Sequence, residues 1–123
     1  MTSWTIAGHS LGGVVAAGFA HDHPGVVEGL VLWASYPVDS LADRTDLTVA
    51  SVSGTRDGFT TPADIAASRP LLPGDTAYTA VTGAVHSYFG DYGDQPGDGT
   101  PTVSRAEAQR QIVAATVALL DGL

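Results

Sequence analysis

Cysteine, lysine and long hydrophobic runs are all absent from this 123-residue chain. The absence of cysteine excludes disulfide bonds and zinc sites with cysteine ligands. All five basic residues are arginine, and they face thirteen acidic residues, so the net charge is −8. That charge argues against nucleic acids and anionic membranes as partners, because their phosphate groups would be repelled.

Membrane and metal features are missing as well. No stretch reaches the run of about 18 apolar residues that a spanning helix needs, so we predict no membrane span. No basic and then apolar leader precedes Trp4, so we see no signal peptide and expect a cytoplasmic protein. The four histidines do not fall at metal-ligand spacing, and we predict no metal site.

The chain length and its alternating pattern predict one α/β domain over residues 1–123. Apolar and β-branched runs predict strands over residues 2–7, 26–34, 47–53 and 76–81. Helical spacing and start signals predict helices over residues 11–21, after Thr61-Pro62, and after Ser104. Strands that alternate with helices form parallel sheets, so we expect a mostly parallel sheet of about four strands flanked by helices.

The last helix has the clearest start signal. Ser104 and Glu107 have the spacing of a capping box, in which each side chain binds the other residue's backbone N–H. Its apolar face is predicted from residues at helical spacing: Ile112, Thr116, Leu119 and Leu120.

A G-x-S-x-G pattern, Gly8-His9-Ser10-Leu11-Gly12, lies between the first predicted strand and the first predicted helix. In such a nucleophile elbow the serine sits in a strained turn, and the glycines let strand and helix approach closely. The elbow exposes the hydroxyl at the carboxyl edge of the sheet, beside the positive end of the helix. The pattern predicts that Ser10 is a nucleophile.

A serine nucleophile needs a base and an acid that orients the base. Asp57 follows the third predicted strand, and His86 follows the fourth. The carboxyl ends of parallel strands meet at one edge of a sheet, so we expect Ser10, Asp57 and His86 to converge there. Their chain order is also the order expected for this architecture.

These segments resemble the C-terminal half of an α/β-hydrolase. Three segments carry the resemblance: "GHSLGG", "SGTRDGFT" and "GAVHSYFGDYGDQPGDGT". The last of these segments is similar to a bacterial branch of the family that is described as dienelactone-hydrolase-like. It implies that Ser10 is the nucleophile, His86 the general base and acid, and Asp57 the orienting carboxylate. It also implies that the backbone amide of Leu11 is an oxyanion donor, and that no cofactor or metal takes part.

The resemblance further implies a serine hydrolase that cleaves carboxylic esters through an acyl-enzyme. No insertion is long enough for a large lid, so small, short-chain esters are the expected substrates. Lipase, thioesterase, lactonase and acyltransferase activities are also found in this family, and the residues do not choose among them.

The chain departs from the family before the elbow. Several strands and a helix normally precede it, and a loop among them supplies the second oxyanion amide. Loss of one such donor costs roughly 100- to 1,000-fold in rate. The first strand, with Trp4 and Ile6, would also have an unpaired edge, so we expect a homodimer that covers this edge. The alternative is a non-catalytic or fragmentary half that needs a partner chain.

Six further residues have competing interpretations. Asp64 is the rival of Asp57 for the acid, although it fits better as a charge at a helix N-terminus. Arg56 is expected to form a surface salt bridge, with a substrate carboxylate as the other possibility. His9 is expected to pack beside the site, with a direct role in the chemistry as the other possibility. The histidine-side loop carries Asp91, Asp94 and Asp98, whose spacing does not match a calcium loop and predicts a solvated segment.

The aromatic residues of the same loop are Tyr88, Phe89 and Tyr92. They follow His86 closely, and either an acyl-binding pocket or simple loop packing would explain them.

Overall fold

The structure is a computed structural model that describes residues 3–123, which form a four-stranded parallel sheet. Its strands are β1 (Thr5–His9), β2 (Gly29–Trp33), β3 (Thr48–Gly54) and β4 (Ala77–Val81). They lie side by side in chain order, with all three pairings parallel. The predicted architecture is therefore confirmed, while the predicted start of the first strand at Thr2 falls outside the described residues.

Three helices connect and cover the strands. They are α1 (Leu11–Asp22), α2 (Pro62–Ser68) and α3 (Arg105–Asp121), with 3₁₀ turns at Arg69–Leu71 and His86–Phe89. The helix α1 stops two residues before Pro24, whose ring cannot continue a helix. Each helix begins where the sequence signals predict.

The two caps differ from expectation in detail. The Ser104 hydroxyl accepts a hydrogen bond from the backbone N–H of Glu107 at 3.1 Å, but the Glu107 carboxylate binds Arg110 and Gln111 instead of returning the bond. The predicted capping box is therefore only half formed. The reciprocal box lies at Thr61 and Asp64, with bonds of 3.1 and 3.2 Å.

Apolar side chains of the central strands pack on both faces of the sheet. On one face, Leu30 and Leu32 pack in the cluster that contains the alanines of α1. On the other face, Val31 packs with Leu119 of α3. Burial on both faces explains the continuous apolar run of β2, because each fully buried side chain of this size contributes roughly 1.5–3 kcal/mol. Leu120 was predicted to face the core, but it is 49 % exposed.

The outer edge of β1 has no partner strand within residues 3–123. Exposed apolar side chains occur next to β1 in the chain, along α1 and after it, and we call them the edge patch: Trp4, Leu11, Val15, Phe19 and Val26. Part of the patch lines a groove of about 330 Å³. The open edge of β1 among the described residues matches the expectation from the sequence.

None of the helices in the described part of the chain has the length and hydrophobicity needed to cross a membrane.

Candidate active site

Ser10 occupies the turn between β1 and α1. Its backbone has φ 56° and ψ −122°, a region that residues with side chains rarely adopt. Its N–H donates to the Trp33 carbonyl at 3.0 Å, which ties the turn to the end of β2. A strained residue held by its neighbours at the end of a strand is the geometry expected of a nucleophile elbow.

Two glycines make the tight turn possible. A Cβ at Gly8 would lie 2.2 Å from the carbonyl oxygen of Gly12, so a side chain at this position of β1 would collide with α1. A Cβ at Gly13 would lie 2.4 Å from the Ser35 hydroxyl. Gly12 itself has open space around it, so the close approach expected on both sides of Ser10 depends on Gly8 and Gly13.

Ser35, two residues after the end of β2, supports the elbow. Its side chain is almost fully buried, and its hydroxyl donates to the backbone carbonyl of Ser10 at 2.6 Å. The sequence analysis did not single out this residue. The available signal in the sequence was a small polar residue directly after the second predicted strand, which leaves room for the close approach of Gly13.

Asp57 and His86 are in direct contact. The Nδ1 atom of His86 lies 2.8 Å from Oδ2 of Asp57, and both side chains are buried. The other carboxylate oxygen of Asp57 accepts hydrogen bonds from the backbone N–H groups of Phe59 and Thr60, each at 2.8 Å. A carboxylate held this way fixes Nδ1 as the protonated nitrogen and leaves Nε2 free to accept a proton.

Ser10 lies at the same edge of the sheet but is not hydrogen-bonded to His86. Within residues 3–123, the hydrogen bonds of His86 lead to Asp57 and Asp98, and none reaches the Ser10 hydroxyl. The neighbouring His9 ring does reach the site, with its centroid 4.7 Å from that of His86. The structure thus brings Asp57 and His86 into contact. Ser10 does not join that contact, but it directly follows His9 in the chain, whose ring lies against that of His86.

His9 packs among aromatic rings, as expected. Its ring stacks on Phe89 at 5.9 Å, and Nδ1 pairs with the Tyr92 hydroxyl. Burial, and secondarily the nearby His86, lower the pKa of His9 to about 4. His9 is therefore neutral at neutral pH and adds no positive charge beside His86.

Leu11 is the first residue of α1. The N–H groups of the first helical turn have no partner inside the helix, and they form the positive end of the helix dipole. The Leu11 amide is thus available beside Ser10.

Asp98 has a role that the sequence analysis missed. Its carboxylate accepts hydrogen bonds from the backbone N–H groups of Gly58, His86, Ser87 and Gly99, at 2.8 to 3.2 Å. Burial favours the neutral acid, but these four donors outweigh it and hold the pKa of Asp98 below its usual value. The expectation of a solvated loop is therefore wrong for Asp98, and the flanking Gly97 and Gly99 were the available signal.

The remaining candidates have structural explanations. Asp64 caps α2 and is therefore not the partner of His86. The Arg56 guanidinium donates to the Thr100 carbonyl at 3.1 Å and forms no ion pair among the described residues, so the predicted salt bridge is wrong. No three metal-ligating side chains converge anywhere in residues 3–123.

Comparisons with known proteins bear on the fold and the family. A model of the "Alpha/beta hydrolase family" matches residues 1–111. No sequence among curated proteins matches the chain.

Several solved structures are similar in fold. A predicted CIB-like hydrolase from Thermoplasma acidophilum has a TM-score of 0.72 at 19 % identity, covering 99 % of this chain and 52 % of its own. A monoacylglycerol lipase from Paleococcus ferrophilus has a TM-score of 0.64 at 16 % identity, covering 94 % and 68 %. The esterase domain of a Rhodothermus marinus protein has a TM-score of 0.55 at 15 % identity, covering 67 % and 50 %. The chain spans about half the length of the first and third of these proteins.

Proposed function

This chain belongs to the alpha/beta hydrolase family, and on that premise we propose that it is a serine hydrolase that cleaves carboxylic esters. The observation that carries the proposal is the buried pair of His86 and Asp57 at 2.8 Å, at the same sheet edge as the strained Ser10. A base, its orienting acid and a half-buried serine at one edge are the parts that acyl transfer needs.

In the proposed reaction, the Ser10 oxygen attacks the acyl carbon while Nε2 of His86 takes the hydroxyl proton. His86 then gives that proton to the leaving alcohol, and the acyl group stays on Ser10 as an ester. A water molecule gives a proton to His86 and attacks this ester; the bond from the acyl carbon to the Ser10 oxygen then breaks, and His86 returns the proton to that oxygen, which releases the carboxylic acid. Asp57 stabilises the imidazolium during both steps without taking its proton.

The Leu11 amide is the proposed oxyanion donor. Negative charge develops on the substrate carbonyl oxygen, and a fixed N–H at a helix start stabilises that charge without reorganisation. The hydrogen bond from the Ser10 hydroxyl to Nε2 of His86 would form on substrate binding, since catalytic hydrogen bonds often tighten only in the substrate complex.

Short-chain esters are the proposed substrates. The rings of Phe59 and His86 meet in a T-shaped arrangement, with centroids 5.3 Å apart, and His9 is neutral beside His86. These two neighbours add no charge beside the proposed base, which suits a small, uncharged acyl group.

The test is turnover of p-nitrophenyl acetate and butyrate by the protein, by Ser10→Ala and by Ser40→Ala. We expect turnover to be lost in Ser10→Ala, by about 10³-fold or more, and kept in Ser40→Ala, whose hydroxyl only accepts a turn hydrogen bond from Ala42. Equal turnover in Ser10→Ala and the parent would end the proposal.

A second candidate is a non-catalytic or fragmentary half that needs a partner chain. It is favoured by the open edge of β1 and by the coverage of about half of two similar structures. If the parent is inactive and a separate N-terminal half of a related hydrolase restores turnover, this candidate replaces the first.

We also propose that a second copy of this chain covers the edge patch. A twofold axis would pair the two β1 edges, and the patch carries no charged side chain that would oppose this despite the net charge of −8. Val15→Asp should convert a dimer to a monomer in sedimentation velocity. Val113→Asp, at a similarly exposed valine on α3, should leave the dimer intact. A monomeric parent would contradict the proposal.

A further inference from the structure

Residues 97–102 cross the two loops that carry Asp57 and His86, and we call this segment the brace. At one end, the Arg56 side chain on the acid loop donates to the Thr100 carbonyl of the brace at 3.1 Å. At the other end, the Thr102 N–H donates to the Gly83 carbonyl on the histidine loop at 3.0 Å. The brace therefore contacts both loops.

Asp98 is the point at which the brace holds both loops through one side chain. Its Oδ1 atom accepts from Gly58 N at 3.0 Å and from His86 N at 3.2 Å, and its Oδ2 atom accepts from Ser87 N at 3.1 Å. Gly58 directly follows Asp57, so the carboxylate fixes the backbone next to the acid and the backbone of the histidine itself.

The close contact of brace and acid loop requires small residues. A Cβ at Gly99 would lie 1.8 Å from the carbonyl oxygen of Arg56. A Cβ at Gly58 would lie 2.7 Å from the carbonyl oxygen of Gly97. Gly97 has φ +94°, which side-chain-bearing residues rarely adopt. The glycines on both sides of Asp98 thus allow its carboxylate to reach the two loops.

Other hydrogen bonds join the loops, but only near the strands. Arg56 N donates to the Ala84 carbonyl at 2.9 Å, and Gly83 N donates to the Thr55 hydroxyl at 2.8 Å. Beyond these bonds, the direct pair of Asp57 and His86 and the bonds to Asp98 are what hold the loop tips together.

We propose that Asp98 is a positioning residue, which sets the distance and angle between Asp57 and His86 by holding the backbone of both loops. The inference deepens the proposed function, because it assumes that His86 transfers protons in ester hydrolysis. Asp98 touches no reacting atom. Misplacement of a catalytic group by about 1 Å can cost about 100-fold in rate, so a backbone anchor at His86 has a measurable consequence.

Two variants test this role, with a matched control on the same loop. Asp98→Ala removes all four acceptor bonds. Asp98→Asn keeps an acceptor for Gly58 and His86 but turns an NH₂ group toward the N–H of Ser87. Asp94→Asn makes the same charge change at an exposed carboxylate.

The first readout is the downfield proton resonance of the His86 Nδ1–H bonded to Asp57, measured by NMR. We expect it to broaden or vanish in Asp98→Ala and to persist in Asp94→Asn. The second readout is ester turnover. We expect kcat to fall about 100-fold in Asp98→Ala and about tenfold in Asp98→Asn with KM little changed, because binding is kept while the proton transfer is misaligned.

The resonance decides the inference even if the protein hydrolyses no ester, so the two proposals fail separately. An unchanged resonance in Asp98→Ala would overturn the positioning role, whether or not the parent turns over esters, and so would an ester kcat within about twofold of the parent's. Loss of the folded circular dichroism spectrum in both Asp98 variants, but not in Asp94→Asn, would also overturn it, since Asp98 would then stabilise the whole chain.

Discussion

Ser10 and the pair of Asp57 and His86 are supported by different surroundings. On the elbow side, residues 4–35, the proposed nucleophile Ser10 follows a strand whose outer edge has no partner within residues 3–123, and the exposed edge patch lies on the same side. On the acid–histidine side, residues 54–105, both side chains are buried, and the loops that carry them are bonded to each other and to the brace. On the elbow side, β2 and Ser35 hold the turn at Ser10. On the acid–histidine side, all the hydrogen bonds that hold Asp57 and His86 among the described residues come from that side itself.

This contrast separates two requirements of the proposed chemistry. Orientation of the base depends on groups that lie within the described residues, so it is assembled in this chain alone. Presentation of the nucleophile and stabilisation of the oxyanion depend on the elbow, one side of which is open. Changes on the acid–histidine side should therefore affect proton transfer, whereas changes on the elbow side should affect both stability and turnover.

The largest effect is expected from Asp57→Asn. The amide would keep an acceptor for the N–H groups of Phe59 and Thr60 but present NH₂ to His86, which would force the wrong tautomer. The ester kcat should fall by about 10⁴-fold, as a triad of this type predicts. Asp64→Asn is the matched control, because Asp64 caps α2, and its kcat should stay within about twofold. A loss in the control as large as in Asp57→Asn would contradict the assignment of the acid.

The next largest effect tests the elbow side through two glycines of the same motif. Gly8→Ala places a Cβ against the Gly12 carbonyl and should lower the free energy of unfolding by about 3 kcal/mol or more. Gly12→Ala meets nothing within 4 Å and lies in the first turn of α1, so it should be neutral or stabilising by up to about 1 kcal/mol. Urea denaturation of both variants measures the difference. Equal losses would show that the motif's two glycines serve one purpose.

The sequence predicted the fold and the positions of Ser10, Asp57 and His86 because strand periodicity and chain order place them at one sheet edge. The half-formed cap at Ser104 was not predictable, since Arg110 and Gln111 compete for Glu107 only in the folded helix. Asp98 was missed for a related reason.

The partners of Asp98 are backbone N–H groups, which every non-proline residue carries and which no residue type marks. Only the close approach of the brace to both loops, with Gly58 and Asp98 40 residues apart in the chain, makes these N–H groups converge on one carboxylate. Ser35 was missed likewise, because its partner is the backbone carbonyl of Ser10.

A smaller effect distinguishes support of the elbow from general stability. Ser35→Ala removes the bond to the Ser10 carbonyl, and Ser68→Ala removes a similar buried bond to the Ile65 carbonyl at 2.8 Å. Each should cost about 1 kcal/mol in unfolding free energy. Only Ser35→Ala should also lower kcat, by about tenfold, because the strained turn loses one of its restraints. If both variants turn over esters equally, Ser35 has no part in presenting the nucleophile.

The smallest effect concerns acid stability and the junction of the two sides at His9, whose ring faces His86 and Tyr92. Burial lowers the pKa of His9 from 6.5 to about 4, so between these pH values the unfolded chain binds a proton that the folded chain does not. The contribution of His9 to stability is therefore present above pH 6.5 and is lost as the pH falls toward 4.

The variant His9→Gln keeps a polar partner for Tyr92 but removes this titration. Its Tm should fall less between pH 7 and pH 4.5 than that of the parent, in thermal unfolding followed by circular dichroism. The carboxylates Asp46, Asp98 and Glu107, whose pKa values are held low, lower the stability in acid equally in both proteins, so the difference isolates His9. His21→Gln, at the exposed end of α1, should keep the parent's full loss. An identical fall in His9→Gln and the parent would mean that His9 takes up its proton as readily in the folded chain as in the unfolded one, and that its burial between the two sides has no electrostatic consequence.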